Sequence, residues 1–334
     1  MILRSRAGRW MAKAAGSPAV VVLLLLVLRP AALGETLAAA PPCPEPGWFP
    51  TEFGLKDHTV FQHDGVYYLA SIYLGNDGYE DRFAYAVSPD LCQWQDLGGI
   101  LQDRPASAWD GFRIWAPYVY QENGTYYMFY TGVTEALAQS IMLATSTDPS
   151  DPTSWQRQGV VFQPDHPGMV WGGFGTWSDC RDATVIRAGE LYYMYYTGLD
   201  NDGGIVGLAT ATAPAGPWSD QGPILTEPGA MLESPTVVAY SGLYYLLYHH
   251  TGSSSAGEMY HYGPAPGGPW AEPIPLRPGW AHEVWTGLEG EWYTSFLTDY
   301  TVTIQPLLWD DAYTPARPFI GTEVHRLFVP LLSQ

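Results

Sequence analysis

Apolar and polar positions alternate along most of this chain in short runs, a pattern typical of β-strands and not of helices. In five places such a run, rich in Val, Thr and Tyr, leads into a glycine turn and then an aromatic pair. The turns and pairs are Asp64-Gly65 with Tyr67-Tyr68, Asn123-Gly124 with Tyr126-Tyr127, Gly189 with Tyr192-Tyr193, Gly242 with Tyr244-Tyr245, and Gly290 with Trp292-Tyr293. Because Asp-Gly and Asn-Gly favour the positive φ angles of tight hairpin turns, each copy predicts a β-hairpin.

A second repeat sets the period of the chain. Downstream of each of the first four hairpins come an Ala/Thr/Ser-rich strand, a proline-containing turn and a tryptophan. These are Trp94, Trp155, Trp218 and Trp270, which lie 61, 63 and 52 residues apart. Units of this length with several short strands are typical of propeller blades. The pattern predicts an all-β protein: one five-bladed β-propeller, a single domain over residues 43–334, with the four tryptophans in its core. Outside the leader, only residues 132–140 suggest a short helix.

The first 34 residues have a different character. Four basic residues precede an apolar run over residues 20–28, and small residues follow it at 32–34. This order predicts a secretory signal peptide over residues 1–34 and a secreted protein without a membrane segment after cleavage. Residues 38–40 offer a second cleavage position, and an uncleaved anchor is the alternative.

Charge narrows the class of partner. The whole chain has a formal net charge of -19, and removal of the first 34 residues, which hold five basic and no acidic residues, takes it to -24. An acidic surface of this kind disfavours nucleic acid and anionic membranes and is compatible with neutral sugars. We therefore expect an oligo- or polysaccharide partner, no nucleic acid, and a monomer.

The three cysteines, Cys43, Cys92 and Cys180, lack metal-type spacing. In an oxidising compartment two of them are expected to form a disulfide, although the pattern does not show which two. Cys180 lies near Asp182, but no His or Asn partner for a catalytic thiol stands out by motif.

Acidic residues begin three of the five hairpins: Asp57 before His-Thr-Val, Asp182 before Ala-Thr-Val, and Glu233 before Ser-Pro-Thr-Val. The innermost strand of each propeller blade starts near the central axis. At matching positions of three blades, the three carboxylates are therefore predicted to meet in one funnel. A lone Asp at such a position is commonly a turn former, but three acids together favour a site.

These residues resemble the five-bladed propeller glycoside hydrolases of families 43, 62, 32 and 68. Asp57-His-Thr-Val-Phe with Gly65-Val-Tyr-Tyr is similar to the family 43 opening, with His58 where proline is usual, and Trp115-Ala-Pro is similar to its second-blade signature. Arg181-Asp182 resembles the Arg-Asp-Pro element of families 32 and 68, with Ala183 in place of proline. Glu233-Ser-Pro is similar to the Glu-x-Pro of the general acid.

The resemblance implies a hydrolase that cleaves O-glycosidic bonds with two carboxyl groups. Glu233 would donate a proton to the leaving oxygen. Asp57 would be the ionised partner, acting as base in an inverting reaction or as nucleophile in a retaining one. Asp182 would stay charged, raise the pKa of Glu233 and accept hydrogen bonds from sugar hydroxyls. The sugar is expected to be a furanoside or xyloside, arabinose-type or fructose-type.

Four residues are expected to bind substrate: Trp115, Trp177, Arg181 and His282. Sugars stack their C–H faces on aromatic rings, and the glycine-rich segment over residues 169–177 is expected to form one wall of the site. For His282 an ordinary structural role is an equal alternative. No metal ligand set and no cofactor are predicted, although the resemblance allows a structural calcium ion near His282.

A propeller that binds carbohydrate or protein without catalysis is the alternative function. The acid trio favours the enzyme, since a binding module needs no proton donor paired with an ionised carboxylate.

Overall fold

The computed structural model describes residues 47–48, 54–74, 80–106, 108–252, 257–276, 279–298, 300–321 and 325–328. Nearly all regular structure in these residues is β-strand, with one turn of 3-10 helix at Pro152–Ser154. The predicted leader and the start of the predicted propeller domain lie outside the described residues. In the part of the chain that is described, no helix has the length and apolarity needed to cross a bilayer.

The strands form five sheets, four antiparallel and one mixed, which are the five predicted blades. A short N-terminal strand, β1 (Gly47–Trp48), precedes them. Blade 1 contains β2 (Leu55–His63), β3 (Val66–Tyr73), β4 (Phe83–Ser88) and β5 (Gln95–Ile100). Blade 2 contains β6 (Arg113–Glu122), β7 (Thr125–Val133), β8 (Gln139–Ser146) and β9 (Gln156–Phe162). Blade 3 contains β10 (Cys180–Ala188), β11 (Leu191–Asp200), β12 (Gly203–Ala211) and β13 (Ser219–Glu227).

Blade 4 contains β14 (Leu232–Tyr240), β15 (Leu243–His250), β16 (Gly257–Gly263) and β17 (Ile274–Pro275). Blade 5 contains β18 (Trp280–Thr286), β19 (Trp292–Thr298), β20 (Thr301–Asp310), β21 (Arg317–Ile320) and β22 (His325–Phe328). Strand β1 pairs in parallel with β22, so the N-terminal strand completes the last blade.

The first strand of each blade faces the axis of the ring. Strands β2, β6, β10, β14 and β18 contact one another in that order, and β18 returns to contact β2. The ring is therefore closed, and the fold prediction of a five-bladed β-propeller is confirmed.

Local sequence explains the hairpins at the start of each blade. Asp64 and Gly65 have φ angles of 49° and 77°, and Asn123 and Gly124 have 51° and 77°. These left-handed values at two successive residues belong to the hairpin turn that matches the twist of its flanking strands.

The two residues of an aromatic pair pack on opposite faces of a blade. Tyr68 packs in a cluster with Phe61 and with residues of blade 2, whereas its neighbour Tyr67 packs in a cluster with residues of blade 5. Adjacent residues of a strand point to opposite faces. Since each face of a propeller blade is covered by the next blade, two consecutive tyrosines are both buried.

The four repeated tryptophans lie in or against the core, and two of them contact an aromatic ring of the preceding blade. Trp155 of blade 2 makes an edge contact with Phe61 of blade 1 at 6.2 Å, and Trp218 of blade 3 makes one with Phe129 of blade 2 at 5.9 Å. Trp94 and Trp155 are buried, and Trp218 and Trp270 pack against core clusters. Each ring thus fills the groove against the preceding blade.

The short helix suggested for residues 132–140 is wrong. Strand β7 runs to Val133, β8 begins at Gln139, and a tight turn joins them. The amide of Thr134 donates to the carbonyl of Ala138 at 3.0 Å, which closes this turn. The segment is helix-like in composition, but its ends pair as a hairpin, so tertiary pairing overrides local propensity.

The structure shows the pairing state of two of the three cysteines. Cys180 is a free, buried thiol at the start of β10, and burial raises its pKa well above the ordinary value. Cys92 is disulfide-bonded, and its partner lies outside the described residues. A buried thiol of raised pKa is a poor nucleophile.

Candidate active site

Each innermost strand is broken by a β-bulge near its start. The register with the second strand shifts between Lys56 and His58, between Trp115 and Tyr118, between Arg181 and Thr184, between Glu233 and Thr236, and between Trp280 and Glu283. Four bulges contain a non-glycine residue with positive φ: Ala116 at 43°, Asp182 at 57°, Ser234 at 52° and Ala281 at 54°. Bulges re-aim side chains, and here they do so at the same level of all five blades.

The residue just before each bulge faces one shared pocket. The five residues at this position are Lys56, Trp115, Arg181, Glu233 and Trp280, and all of them line a cavity of about 350 Å³. Asp57, Asp182, Ser234, Gln139 and Trp177 complete the lining. The structure therefore brings together all three predicted catalytic acids, together with Trp115, Trp177 and Arg181.

The three acids do not occupy strictly matching positions, contrary to the sequence interpretation. Asp57 and Asp182 each lie two residues before the threonine that follows the bulge, whereas Glu233 lies three residues before Thr236. Glu233 therefore corresponds to Arg181, and Ser234 corresponds to Asp182. A comparison of strand starts does not reveal this one-residue offset, because a bulge adds an unpaired residue to the strand.

Asp182 is fixed by hydrogen bonds with residues of three blades. Its Oδ2 accepts from the Oγ1 of Thr197 and from the backbone amide of Ser234, both at 3.1 Å, and its own amide donates to Thr131 Oγ1 at 3.2 Å. Burial raises the pKa of Asp182, and the nearby Arg181 guanidinium opposes this rise. The carboxyl group thus ties blade 3 to blade 4 at the pocket floor.

Arg181 is the cation that contacts three carboxylates of the site. Its Nη2 donates to Glu233 Oε1 at 2.7 Å, its Nη1 donates to Asp179, and its Nε lies 3.7 Å from Asp182 Oδ2. Burial lowers the pKa of the Arg181 guanidinium, but the surrounding carboxylates outweigh burial and the net shift is upward. Arg181 therefore stays charged. It lies between Asp182 and Glu233, where the sequence suggested direct repulsion between the two acids.

Asp57 has a strongly shifted pKa. Burial, followed by repulsion from Asp182, raises the pKa of Asp57 to about 7, and the neighbouring Lys56 partly opposes the shift. A carboxyl group with a pKa near the operating pH is suited to accepting a proton during a reaction.

Glu80 is a buried residue that the sequence analysis missed. Its carboxylate accepts from Lys56 Nζ at 2.9 Å, from Arg113 Nη1 at 3.3 Å and from the indole of Trp115. It therefore orients both Lys56 and Trp115 at the pocket. Glu80 lies between β3 and β4 and has no motif of its own, so no sequence signal could have found it.

Asp179 has the same function for Trp177 and Arg181, and the sequence analysis also missed it. Its Oδ2 accepts from the indole Nε1 of Trp177 at 2.9 Å, and its Oδ1 accepts from Arg181. Gln139, a third missed residue, accepts from Arg181 Nη1 at 3.4 Å. The place of Asp179 two residues before Arg181 on the same stretch was an available signal, since such residues share one face of a strand.

His282 lies further along the axis than the pocket. It lines a smaller cavity of about 30 Å³ together with His58, Ala183 and Glu283. His282 is 1% exposed, its Nδ1 is 2.9 Å from Thr294 Oγ1, and its ring stacks on Phe296. The structure thus separates His282 from the lining of the larger pocket, and its substrate-binding role stays a prediction.

The two departures from the family motifs, His58 and Ala183, both face this smaller cavity. Burial lowers the pKa of His58 to about 3, so its imidazole is neutral. Both departures follow an acid by one residue, and neither lines the larger pocket.

The calcium ion that the resemblance allows near His282 stays a prediction. Calcium takes six to eight oxygen ligands. Among the residues whose placement is given, no group of three or more His, Cys, Asp or Glu side chains is arranged to hold a metal ion. No step below depends on one.

Comparisons with known proteins show which proteins the chain is similar to. The sequence model of glycosyl hydrolases family 43 matches residues 51–175. A probable arabinan endo-1,5-alpha-L-arabinosidase B of Aspergillus oryzae is 27% identical over 195 residues, which are 54% of this chain and 51% of that protein. The chain spans about half the length of these curated relatives.

Solved structures share the fold. A thermostable family-43 glycoside hydrolase superposes with a TM-score of 0.63 at 20% identity, covering 85% of this chain and 97% of that one. An exo-1,5-alpha-L-arabinanase from a bovine ruminal metagenomic library superposes with a TM-score of 0.59 at 16% identity, covering 80% and 97%.

The closed ring and the acid-lined axial pocket define a class of protein. The fold is the five-bladed β-propeller that these solved glycoside hydrolases share, and the sequence over residues 51–175 is similar to family 43 of the glycosyl hydrolases.

Proposed function

We propose that this protein is a secreted glycoside hydrolase that cleaves O-glycosidic bonds of a neutral furanoside or xyloside, with arabinofuranosides as the leading substrates. The observation that supports this most is the convergence of Asp57, Asp182 and Glu233, from three different blades, on one cavity. The names of the curated relatives and of several solved structures favour arabinose-containing polymers. Export rests on the predicted leader over residues 1–34.

The proposed reaction uses the two sides of the pocket differently. Glu233, whose side chain is 35% exposed, protonates the leaving oxygen. Asp57 removes a proton from the attacking water on the other face of the sugar, which gives inversion at the anomeric carbon. The burial that raises the pKa of Asp57 also makes it a stronger base toward that water.

Asp182 and Arg181 position the reacting groups. The Arg181 guanidinium bonds to Glu233 Oε1 and lies close to Asp182. It offsets the negative charge that three converging acids place in one pocket.

Aromatic walls would hold the sugar. Trp115, Trp177 and Trp280 line the pocket. Sugar rings present C–H faces that pack on indole, while charged and amide groups bond to the hydroxyls. The Glu80 contact with Trp115 and the Asp179 contact with Trp177 fix two of these rings before substrate arrives.

A substrate screen tests this function. The purified protein is assayed on aryl α-L-arabinofuranoside, aryl β-D-xyloside, sucrose, linear arabinan and fructan, with Glu233→Gln and Asp57→Asn as controls. We expect hydrolysis of at least one substrate and a fall in kcat/KM of about 10²–10⁴-fold in each variant. The anomer released first, followed by NMR, is expected to be inverted. Binding without hydrolysis by the unmodified protein would support the non-catalytic alternative.

A further inference from the structure

Four aromatic side chains lie beside the pocket, two of them exposed and two partly buried against the core. This aromatic rim consists of Trp109, Trp171, Phe174 and Trp177, the last three from the segment between β9 and β10. Phe174 and Trp177 are 46% and 56% exposed. Trp109 stacks on Trp171 with ring centroids 5.7 Å apart, and Phe174 meets Trp109 edge-on at 5.0 Å.

The rim is held in place by hydrogen bonds. The indole of Trp171 donates to the carbonyl of Gln139 at 2.9 Å, and the hydroxyl of Thr134 donates to the carbonyl of Phe174 at 3.1 Å. The amide of Gly172 donates to Ser178 Oγ at 2.8 Å, which closes the loop on itself. Because the rings are already fixed, binding on them costs little ordering entropy.

Exposed apolar rings that are held in fixed positions are typical of a binding surface. The aromatic rim is continuous with the pocket. Trp177 belongs both to the rim and to the pocket lining, and Gln139, which accepts the Trp171 hydrogen bond, also lines the pocket. A ligand that fills the pocket and extends outward would therefore run across the rim.

Charge decides what kind of ligand this is. Residues 167–178 contain no acidic or basic side chain, and the chain as a whole carries a net charge of -19. A polyanion would be repelled by the whole molecule and would find no cation on this segment. An uncharged sugar chain, with its apolar C–H faces, matches the exposed rings.

We propose that the aromatic rim binds the further sugar residues of an uncharged polysaccharide, one residue of which occupies the pocket. This inference rests on the proposed function and makes the preferred substrate a polymer or long oligosaccharide, not a disaccharide.

Binding by chain length tests the inference. Linear α-1,5-arabino-oligosaccharides and β-1,4-xylo-oligosaccharides of two to eight residues are titrated by calorimetry into the Glu233→Gln variant, which keeps the pocket without turnover. Affinity is expected to rise with length beyond three residues for one of the two series. Trp109→Ala and Phe174→Ala, each added to this variant, are expected to weaken binding of the longest oligosaccharide by about 3–10-fold, since aromatic contacts contribute at this level.

Phe319→Ala is the matched control, because Phe319 on β21 is also 46% exposed but lies outside the pocket and the rim. It should bind like the parent variant. In the active protein, Phe174→Ala should lower kcat/KM for polymer more than kcat/KM for the aryl glycoside.

Two results would overturn the rim proposal while leaving the hydrolase intact: affinity that does not change with length, or rim variants that bind the longest oligosaccharide as tightly as the parent. A concentration-dependent dimer that Phe174→Ala abolishes, measured by sedimentation, would also overturn it, because the rim would then be covered by a second copy. Failure of the unmodified protein to cleave any glycoside would instead count against the proposed function.

Discussion

Blades 3 and 4 differ from blades 2 and 5 at one position of an otherwise shared backbone. The residue before the bulge is Arg181 in blade 3 and Glu233 in blade 4, whereas it is Trp115 in blade 2 and Trp280 in blade 5. All four side chains reach the same cavity. The bulge thus directs the side chain that precedes it into the pocket. The identity of this one residue in each blade determines whether that part of the pocket is charged or aromatic.

The difference divides the pocket into two sectors. In the charged sector, Arg181 joins Asp179, Asp182 and Glu233 in one network. The aromatic sector of Trp115 and Trp280 offers flat apolar faces. We therefore expect changes in the charged sector to lower kcat and changes in the aromatic sector to raise KM.

Among changes that test the difference between the two sectors, the largest effect is expected from Arg181→Met. This change leaves three clustered carboxylates without their shared cation, and kcat/KM should fall by about 10²–10³-fold, as for the loss of one preorganised charge contact. Steady-state kinetics measure the loss, and circular dichroism confirms that the variant is folded.

Arg187→Met is the matched control. Arg187 lies on the same strand, but it is 46% exposed and pairs with Glu122 away from the pocket. Its variant should retain wild-type kinetics. Equal losses in the two variants would show that Arg181 acts only through the stability of blade 3.

A smaller effect is expected from Trp280→Ala. Loss of the indole face should raise KM about tenfold with little change in kcat, because stacking is felt equally by substrate and transition state. Trp280→Phe keeps an aromatic face and should recover most of the affinity. A fall in kcat at constant KM would remove the distinction between the sectors.

The smallest effect is a shift in pH dependence in Lys56→Met. Asp57 must be ionised to act as base, so activity is lost as the pH falls through its pKa of about 7. Lys56 lowers the pKa of Asp57, and its removal should therefore move the acidic limb of the kcat/KM profile upward, by about half a unit to one unit.

Arg113→Met removes another cation from Glu80 and controls for this change, since Arg113 does not line the pocket. Its acidic limb should stay in place. A limb that stays in place in Lys56→Met, or moves downward, would show that Asp57 does not control it.

Local signals explain how much of this fold could be predicted. Asp64-Gly65 and Asn123-Gly124 specify turns within four residues, and the tyrosine pairs report burial on both faces of a blade. The helix prediction for residues 132–140 was wrong because β7 and β8 pair on either side of this turn, and no short-range sequence signal shows that pairing.

Fewer features of the site than of the fold could be predicted from the sequence. Asp57, Asp182 and Glu233 carry motifs, and the structure brings them together. Glu80 acts on blade 2 from a loop of blade 1, a contact that depends on how the blades dock. The one-residue offset of Glu233 depends on the bulge, and counting back from Thr236 would have shown it.

The dependence of rate on the leaving group tests the central claim most directly. On the aryl α-L-arabinofuranosides, Glu233→Gln should lose about 10²–10⁴-fold in kcat/KM with a phenyl leaving group and far less with dinitrophenyl, which leaves without protonation. Asp57→Asn should lose equally with both. Equal losses for both leaving groups in Glu233→Gln, or wild-type rates in either variant, would contradict the assignment of proton donor and base.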